Sequence, residues 1–172
     1  RAYEGAKAFG AFQRDLIDLP DPPLAETIPE FHHTRKRFDR FVKTVEADSC
    51  ERVKDAESEI AFIRDRLALA EWFEDLQTNG KLPCRVVHND TKINNVLIDN
   101  TTRRAVCVID LDTVKPGLVH YDIGDCLRSC CNRLGEETLD AKNVSFDLNL
   151  CRAILEGYLS IGRSFLTTED FR

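Results

Sequence analysis

The chain has no methionine, one tryptophan and three tyrosines in 172 residues, and its seven cysteines include no Cys-x-x-Cys pair. No apolar run approaches the roughly 20 residues a bilayer-spanning helix needs, so neither a membrane segment nor a signal peptide is expected. Basic residues are not in excess. Lys and Arg number 24 against 30 Asp and Glu, and the net charge of −6 has the wrong sign for a polyanion-binding chain, which argues against nucleic acid as a partner. The one basic cluster, Arg35, Lys36, Arg37 and Arg40, reads as a solvated helix face. An odd cysteine count without a Cys-x-x-Cys pair points to reduced thiols and a cytoplasmic location. Cys84 and Cys107 lie in apolar strand-like runs and are expected in the core. Cys126, Cys130 and Cys131, with His120 upstream, lack the tight ligand pairs of a structural zinc site and are expected to pack as small hydrophobes.

What is present suits one soluble domain. A chain of this length buries roughly 70% of its unfolded surface, and 42% apolar with 31% charged residues is an ordinary globular balance. The pattern predicts a mainly helical α+β fold. Phe9, Phe12, Leu16 and Leu19 recur at helical spacing, giving a first helix that ends near residue 18, before the proline-rich stretch from Pro20 to Pro23. Phe38, Phe41, Val42 and Val45 line a second helix; Ile60, Ile63, Leu67, Ala70 and Phe73 line a long third one closed by Asn79-Gly80, and both stripes are expected in the core. The period then changes to short β-branched runs, predicting strands near 85 to 88, 95 to 99 and 105 to 110. Asp122, Ile123, Leu127, Cys130 and Leu134 mark another helix, and Leu148, Cys151, Ile154, Leu155 and Tyr158 a last one. No linker separates these segments. The absence of any Met, a start within an amphipathic helix, and a helix-start signature at Thr167 and Asp170 just before the end lead us to expect a piece of a longer protein.

The stretch HNDTKINNVLID, residues 88 to 99, sets polar groups in a loop between two strands, where a rigid scaffold can present chemistry. Loop Asp and Asn also serve as turn formers. Twenty residues beyond Asp90, however, Asp110 ends a second apolar strand, and Asp112 follows on the same side of the extended chain. Phosphoryl transfer needs such a set: oxygen ligands for a divalent metal, and an acceptor for the proton of the incoming hydroxyl. Asn95 and Asp110 have the chemistry of Mg²⁺ ligands, Asp90 that of the proton acceptor, and Lys92 could reach a phosphate as a point charge.

His88-x-Asp90-x-x-x-x-Asn95 has the spacing of the kinase catalytic loop His-Arg-Asp-x-x-x-x-Asn, with Asp110 in the place of the metal-binding Asp of Asp-Phe-Gly. Leu111 and Asp112 follow Asp110 in place of Phe-Gly, so an ordinary protein kinase fits poorly. The chain resembles instead the C-terminal lobe of the aminoglycoside phosphotransferase and choline kinase superfamily. Over residues 86 to 133 it is similar to N-acetylhexosamine 1-kinases and their close relatives. The resemblance implies a kinase-like fold whose short β element carries the catalytic loop, and ATP- and Mg²⁺-dependent phosphorylation of the anomeric hydroxyl of an amino sugar. Choline, ethanolamine, homoserine or aminoglycoside kinases are the alternative within the fold, and a non-catalytic kinase-like binding module is the alternative outside it.

Carried over, the resemblance implies Asp90 as catalytic base, Asn95 and Asp110 as metal ligands and His88 as a loop-shaping residue, beside which Lys92, from its charge, is expected to contact the nucleotide. Asp112 is a candidate for metal, sugar or backbone contact, and Arg128 for substrate or for a salt bridge. Asp122 and Asp125, which open a helix as acidic residues commonly do, are placed near the loop by analogy. Asn89 stands where many aminoglycoside phosphotransferases have Gly, which favours the sugar-kinase branch. No glycine-rich phosphate loop and no Val-Ala-Ile-Lys-type strand precede residue 86, so the nucleotide-binding lobe is expected to be missing and the isolated piece inactive. The sequence does not indicate an oligomeric state.

Overall fold

A computed structural model describes residues 1–19 and 24–171, and the expected proline break at Pro20 to Pro23 lies outside them. Among the described residues, six α-helices and four short strands follow in chain order: α1 (Ala2–Asp15), α2 (Thr34–Ala47), α3 (Glu57–Arg64), α4 (Leu67–Thr78), β1 (Arg85–Val87), β2 (Val96–Ile98), β3 (Ala105–Val108), β4 (Lys115–Gly117), α5 (Val119–Cys130) and α6 (Leu148–Gly162). The fold is α+β and mainly helical. The chain forms two compact units, residues 29–82 and the remainder, a division that no linker in the sequence marks. No helix among the described residues is long and apolar enough to cross a membrane.

In the larger unit, α1 and α6 pack along one another over their length. Glycine makes the approach close. A Cβ on Gly157 would overlap the Tyr3 carbonyl, and one on Gly10 would lie 3.0 Å from the Tyr158 carbonyl. Gly10 and Gly157 therefore let the two helices meet, which is a packing use of glycine inside a helix that otherwise costs about 1 kcal/mol. Ala6, Cys126, Cys131, Ile154 and Tyr158 form the core between α1, α5 and α6.

The strands make two antiparallel pairs. Val96 faces Val108 and Leu97 faces Cys107 in one; Arg85 faces Gly117 and Val87 faces Lys115 in the other. The second pair uses a strand not expected, since Lys115-Pro116-Gly117 has poor strand propensity. Between β2 and β3, the Asp99 side chain accepts from the Thr101 and Thr102 amides and holds the turn.

Several boundaries differ from expectation. Helix α1 ends at Asp15, three residues early, because the Leu16 and Ile17 amides turn back to the Gln13 and Arg14 carbonyls in a tighter three-residue turn. The long third helix is two helices: the Arg66 amide bonds to the Ile63 carbonyl and the Leu69 amide to Arg66, which breaks the ladder while the apolar spacing runs on. None of α2, α3 or α4 holds a fully buried residue, so their stripes are not core in the expected sense, and Phe62, Leu69 and Trp72 are more than half exposed. The Gly80 cap was legible: its φ of 63° and the Lys81 amide bond to Leu76 close α4. The basic cluster lies on α2, where Arg35 pairs with Asp39 and Glu71 and Lys36 with Glu30.

Helix α5 begins at Val119, so Asp122 lies inside its first turn, and it stops at Cys130, leaving Leu134 half-exposed beyond it. Cys84 and Cys107 are exposed rather than buried: Cys84 lies just before β1, and within the four-residue β3 the adjacent Val106 and Cys107 are both exposed. Thr167 and Asp170 do form a cap, with Asp170 Oδ2 accepting from the Thr167 amide, but on a single short 3-10 turn, Thr168–Phe171.

Candidate active site

The loop from His88 to Asn95 takes its shape from one buried carboxylate. Asp122, 1% exposed, accepts from the His88 amide at 2.9 Å and the Gln13 amide nitrogen at 2.6 Å through Oδ2, and from the Asn89 amide at 2.7 Å through Oδ1. Its backbone carbonyl receives the Thr91 hydroxyl at 2.5 Å. One turn on, Asp125 Oδ2 accepts from the Thr91 amide at 2.7 Å. Thus α5 presents two carboxylates to the amides of His88, Asn89 and Thr91, supplying partners that a buried loop backbone requires. Burial pushes the Asp122 carboxyl above the usual carboxylate range, and the three N–H donors oppose that rise. Gln13 is in turn held by the Tyr158 hydroxyl at 2.5 Å, which ties the loop to the α1 and α6 pair.

His88 is fully buried against the edges of Phe9 and Phe12. Its Nδ1 accepts from the Asp90 amide at 3.3 Å, so the proton sits on Nε2, which donates to the Ile109 carbonyl at 2.9 Å. The ring therefore braces the loop against the chain just before Asp110. Thr113 closes the same circuit, donating from its hydroxyl to the His88 carbonyl and accepting at its own carbonyl from the Asn89 amide group. Asn89 has φ of 67°, a left-handed conformation that Asn and Gly both accommodate.

Asp90 and Asn95 meet directly. The Asn95 amide nitrogen donates to the Asp90 carbonyl at 2.8 Å and to its carboxylate Oδ2 at 2.9 Å. This engages both amide hydrogens and leaves the acceptor Asn95 Oδ1 without a hydrogen bond among the described residues. Lys92 Nζ lies 2.8 Å from Asp90 Oδ2. Partial burial pushes the Asp90 carboxyl up, but hydrogen bonds from Lys92 and Asn95 together prevail and hold it below the usual carboxylate range. Hydrogen bonding to Asp90 raises Lys92 correspondingly.

Asp110 comes alongside through the β2–β3 pairing. Val96 faces Val108, and the Ile109 amide donates to the Asn95 carbonyl at 2.9 Å, so Asp110 follows immediately beyond this contact. Its backbone is also left-handed, with φ of 63°, and its exposed carboxylate has no hydrogen bond or ion pair among the described residues, though its charge acts on Lys92. Asp112 is exposed two residues further, within the turn Leu111–Thr113. Arg128 is not turned into this group. It binds Asp125 Oδ1 at 2.8 Å and Glu136 Oε2 at 2.8 Å, the salt-bridged arrangement of the two considered.

Gln13 escaped sequence reasoning, although the signal existed: a polar residue beside Phe9 and Phe12 on the buried face of a helix calls for a partner. If Asp122 holds the loop, Asp122→Asn should destabilise the fold by about 2 kcal/mol or more, because either amide orientation sets an NH₂ against an N–H donor. Urea denaturation with unchanged m-value would measure it.

An amide oxygen and a carboxylate, both uncommitted and hard, fit Mg²⁺, which takes one or two protein oxygens and completes its shell with water and phosphates. Among the described residues no group of three or more His, Cys, Asp or Glu side chains could hold an ion by protein alone. This donor set beside a charged carboxylate on a buttressed loop has the chemistry of a phosphoryl-transfer centre. Residues 1–155 match the model of the phosphotransferase enzyme family, APH, and the chain belongs to that family. Kinases of this family generally use ATP and Mg²⁺ and act on small molecules.

Proposed function

We propose that the chain is the catalytic and substrate-binding lobe of a small-molecule kinase with a protein-kinase-like fold, and that its acceptor is the anomeric hydroxyl of an N-acetylhexosamine. The observation that carries the catalytic half is the Asp90–Asn95 contact with Asp110 set beside it across the β2–β3 pair. Asp90 orients the acceptor hydroxyl and takes its proton as the oxygen attacks. Its depressed pKa makes it a weak base, which suits a loose transition state in which the proton is transferred late.

Asn95 Oδ1 and Asp110 would hold Mg²⁺, whose charge, when bound, offsets that gathering on the phosphoryl oxygens. Lys92 leaves Asp90 for a phosphate as the acceptor enters. Asp112, exposed beside Asp110, is available to a sugar hydroxyl. The similarity of residues 86–133 to hexosamine 1-kinases supports the choice of acceptor.

Regiochemistry provides the test. Phosphorylation at the anomeric oxygen removes the reducing end, while phosphorylation elsewhere preserves it. The complete protein, given ATP, Mg²⁺ and N-acetylglucosamine or N-acetylgalactosamine, should consume ATP and lose reducing-sugar reactivity in equal amounts. ATP consumption with the reducing end intact would move the assignment to a 3-, 4- or 6-kinase. No sugar-dependent consumption would move it to amino alcohols or aminoglycosides.

A further inference from the structure

Asp170 carries more bonds than the turn it caps requires. On Oδ2 its carboxylate accepts from the Thr167 amide at 2.8 Å and the Thr167 hydroxyl at 3.1 Å. It also meets the Arg85 guanidinium side-on, with Nη1 donating to Oδ1 at 3.0 Å and Nη2 lying 2.9 Å from Oδ2. The Asp170 side chain is 1% exposed and that of Arg85 12%. Arg85 is held further by the Phe165 carbonyl, 3.2 Å from Nη2, and by the Phe165 ring, whose centroid lies 5.9 Å from the guanidinium carbon. The Asp170 carbonyl in turn accepts from His120 Nε2 at 3.1 Å.

Arg85 and His120 belong to the two elements that build the catalytic loop. Arg85 opens β1, and the loop begins three residues on at His88; His120 lies in the first turn of α5, two residues before Asp122. The loop amides follow one element and their carboxylate acceptors sit on the other. The bonds from His88, Asn89 and Thr91 to Asp122 and Asp125 therefore form only while β1 and α5 keep one spacing. The β1–β4 ladder is a weak guarantor of that spacing, with three residue pairs in which Pro116 has no amide to give and Gly117 no side chain to pack. We propose that Asp170 is a positioning residue for the catalytic loop, a clamp that ties β1 to the start of α5 and so keeps the loop amides on their acceptors.

A capping role does not account for the arrangement. A cap needs only an acceptor for the Thr167 amide, whereas the guanidinium comes from a strand 85 residues away and takes no part in ending the turn. Stability does not account for it either, because well-packed apolar side chains commonly replace a buried ion pair without loss. What the paired forks add is a fixed direction and distance. The clamp and the loop also share one buried neighbourhood. Tyr158, whose hydroxyl donates to Gln13, is held above the usual tyrosine range by burial and by the charges of both Asp122 and Asp170. The consequence for turnover rests on the reading of Asp90 as the base; the clamp itself does not.

Amide hydrogen exchange of the complete protein, read by peptide mass analysis, tests the clamp without turnover. Asp170→Asn alone would strand the Arg85 charge, so the variant to use joins Arg85→Met to Asp170→Asn, which removes both charges and keeps an acceptor for the Thr167 amide. Its melting temperature should stay near that of the parent. Peptides covering residues 86–92 should nevertheless lose protection roughly 10- to 100-fold, while peptides from α1 and α6 change less than about threefold. Should this variant melt early, Arg85→Lys, which keeps the charge but not the fork, decides on the same ratio of loop to helix protection. An equal loss in every peptide would make Asp170 a general stabiliser, and unchanged protection at 86–92 would show that the loop needs no clamp; either result overturns the proposal. In turnover, the paired variant should lose kcat roughly 10- to 100-fold with KM for Mg²⁺–ATP unchanged. A parent protein without turnover would count against the kinase reading alone, since the exchange result stands without it.

Discussion

Asp90→Asn in the complete enzyme is expected to lower turnover by roughly 10²- to 10⁴-fold, the usual contribution of a positioned general base. The substitution keeps the side-chain shape and an oxygen able to accept from Asn95 or Lys92, while removing the charge and the basic site. Thermal melting should therefore change little while turnover collapses. Near-normal turnover would falsify the role. The depressed pKa adds a signed expectation. Because the folded-state value lies below the ordinary carboxylate value, Asp90 remains ionised through neutral and mildly acidic pH and loses its charge only as the pH falls through the lower value. Any loss of kcat/KM between pH 5 and 6 must then arise from another group, and the Asp90→Asn profile should retain that limb.

The second large effect falls on Asp110. Asp110→Ala is expected to abolish productive use of Mg²⁺–ATP, since its carboxylate is the uncommitted one that directly follows the contact between Ile109 and Asn95. Alanine is a poor fit to the left-handed backbone at this position, so Asp110→Asn is the cleaner companion variant: Asn tolerates that conformation and keeps one oxygen but no charge. Turnover measured across a Mg²⁺ titration should show Asp110→Asn needing far more metal for less activity, with melting near that of the parent chain. If Asp112→Ala proves the more damaging change under the same titration, the ligand has been assigned to the wrong carboxylate.

The parts of this site visible in sequence are those whose signals are local. Asp90, Asn95 and Asp110 flank runs of β-branched residues, and antiparallel pairing of β2 with β3 brings the ends of those runs together. The unseen parts depend on distant partners or on departures from ideal geometry. Nothing in Lys115-Pro116-Gly117 announces a strand, and its pairing with β1 closes a loop of some thirty residues. The break between α3 and α4 is hidden because the apolar spacing continues through it. Cys84, just before β1, and Cys107, in β3, lie in the open, although their neighbours look like core. Asp122 was singled out only by analogy, because acidic residues in a first helical turn are common, and its true partners include Gln13, 109 residues away.

That separation bears on how the protein comes to be competent. The amides that shape the 88–91 stretch find their acceptors on a helix more than thirty residues downstream, and the same carboxylate also takes a donor from the first helix of the chain. Contacts of such length are made only after much of the chain has condensed, because closure entropy must be met before they stabilise anything. A nascent chain released before α5 has emerged therefore carries Asp90 and Asn95 without the scaffold that aligns them. Competence arrives with the late, long-range closure of the fold and not with synthesis of the catalytic loop itself.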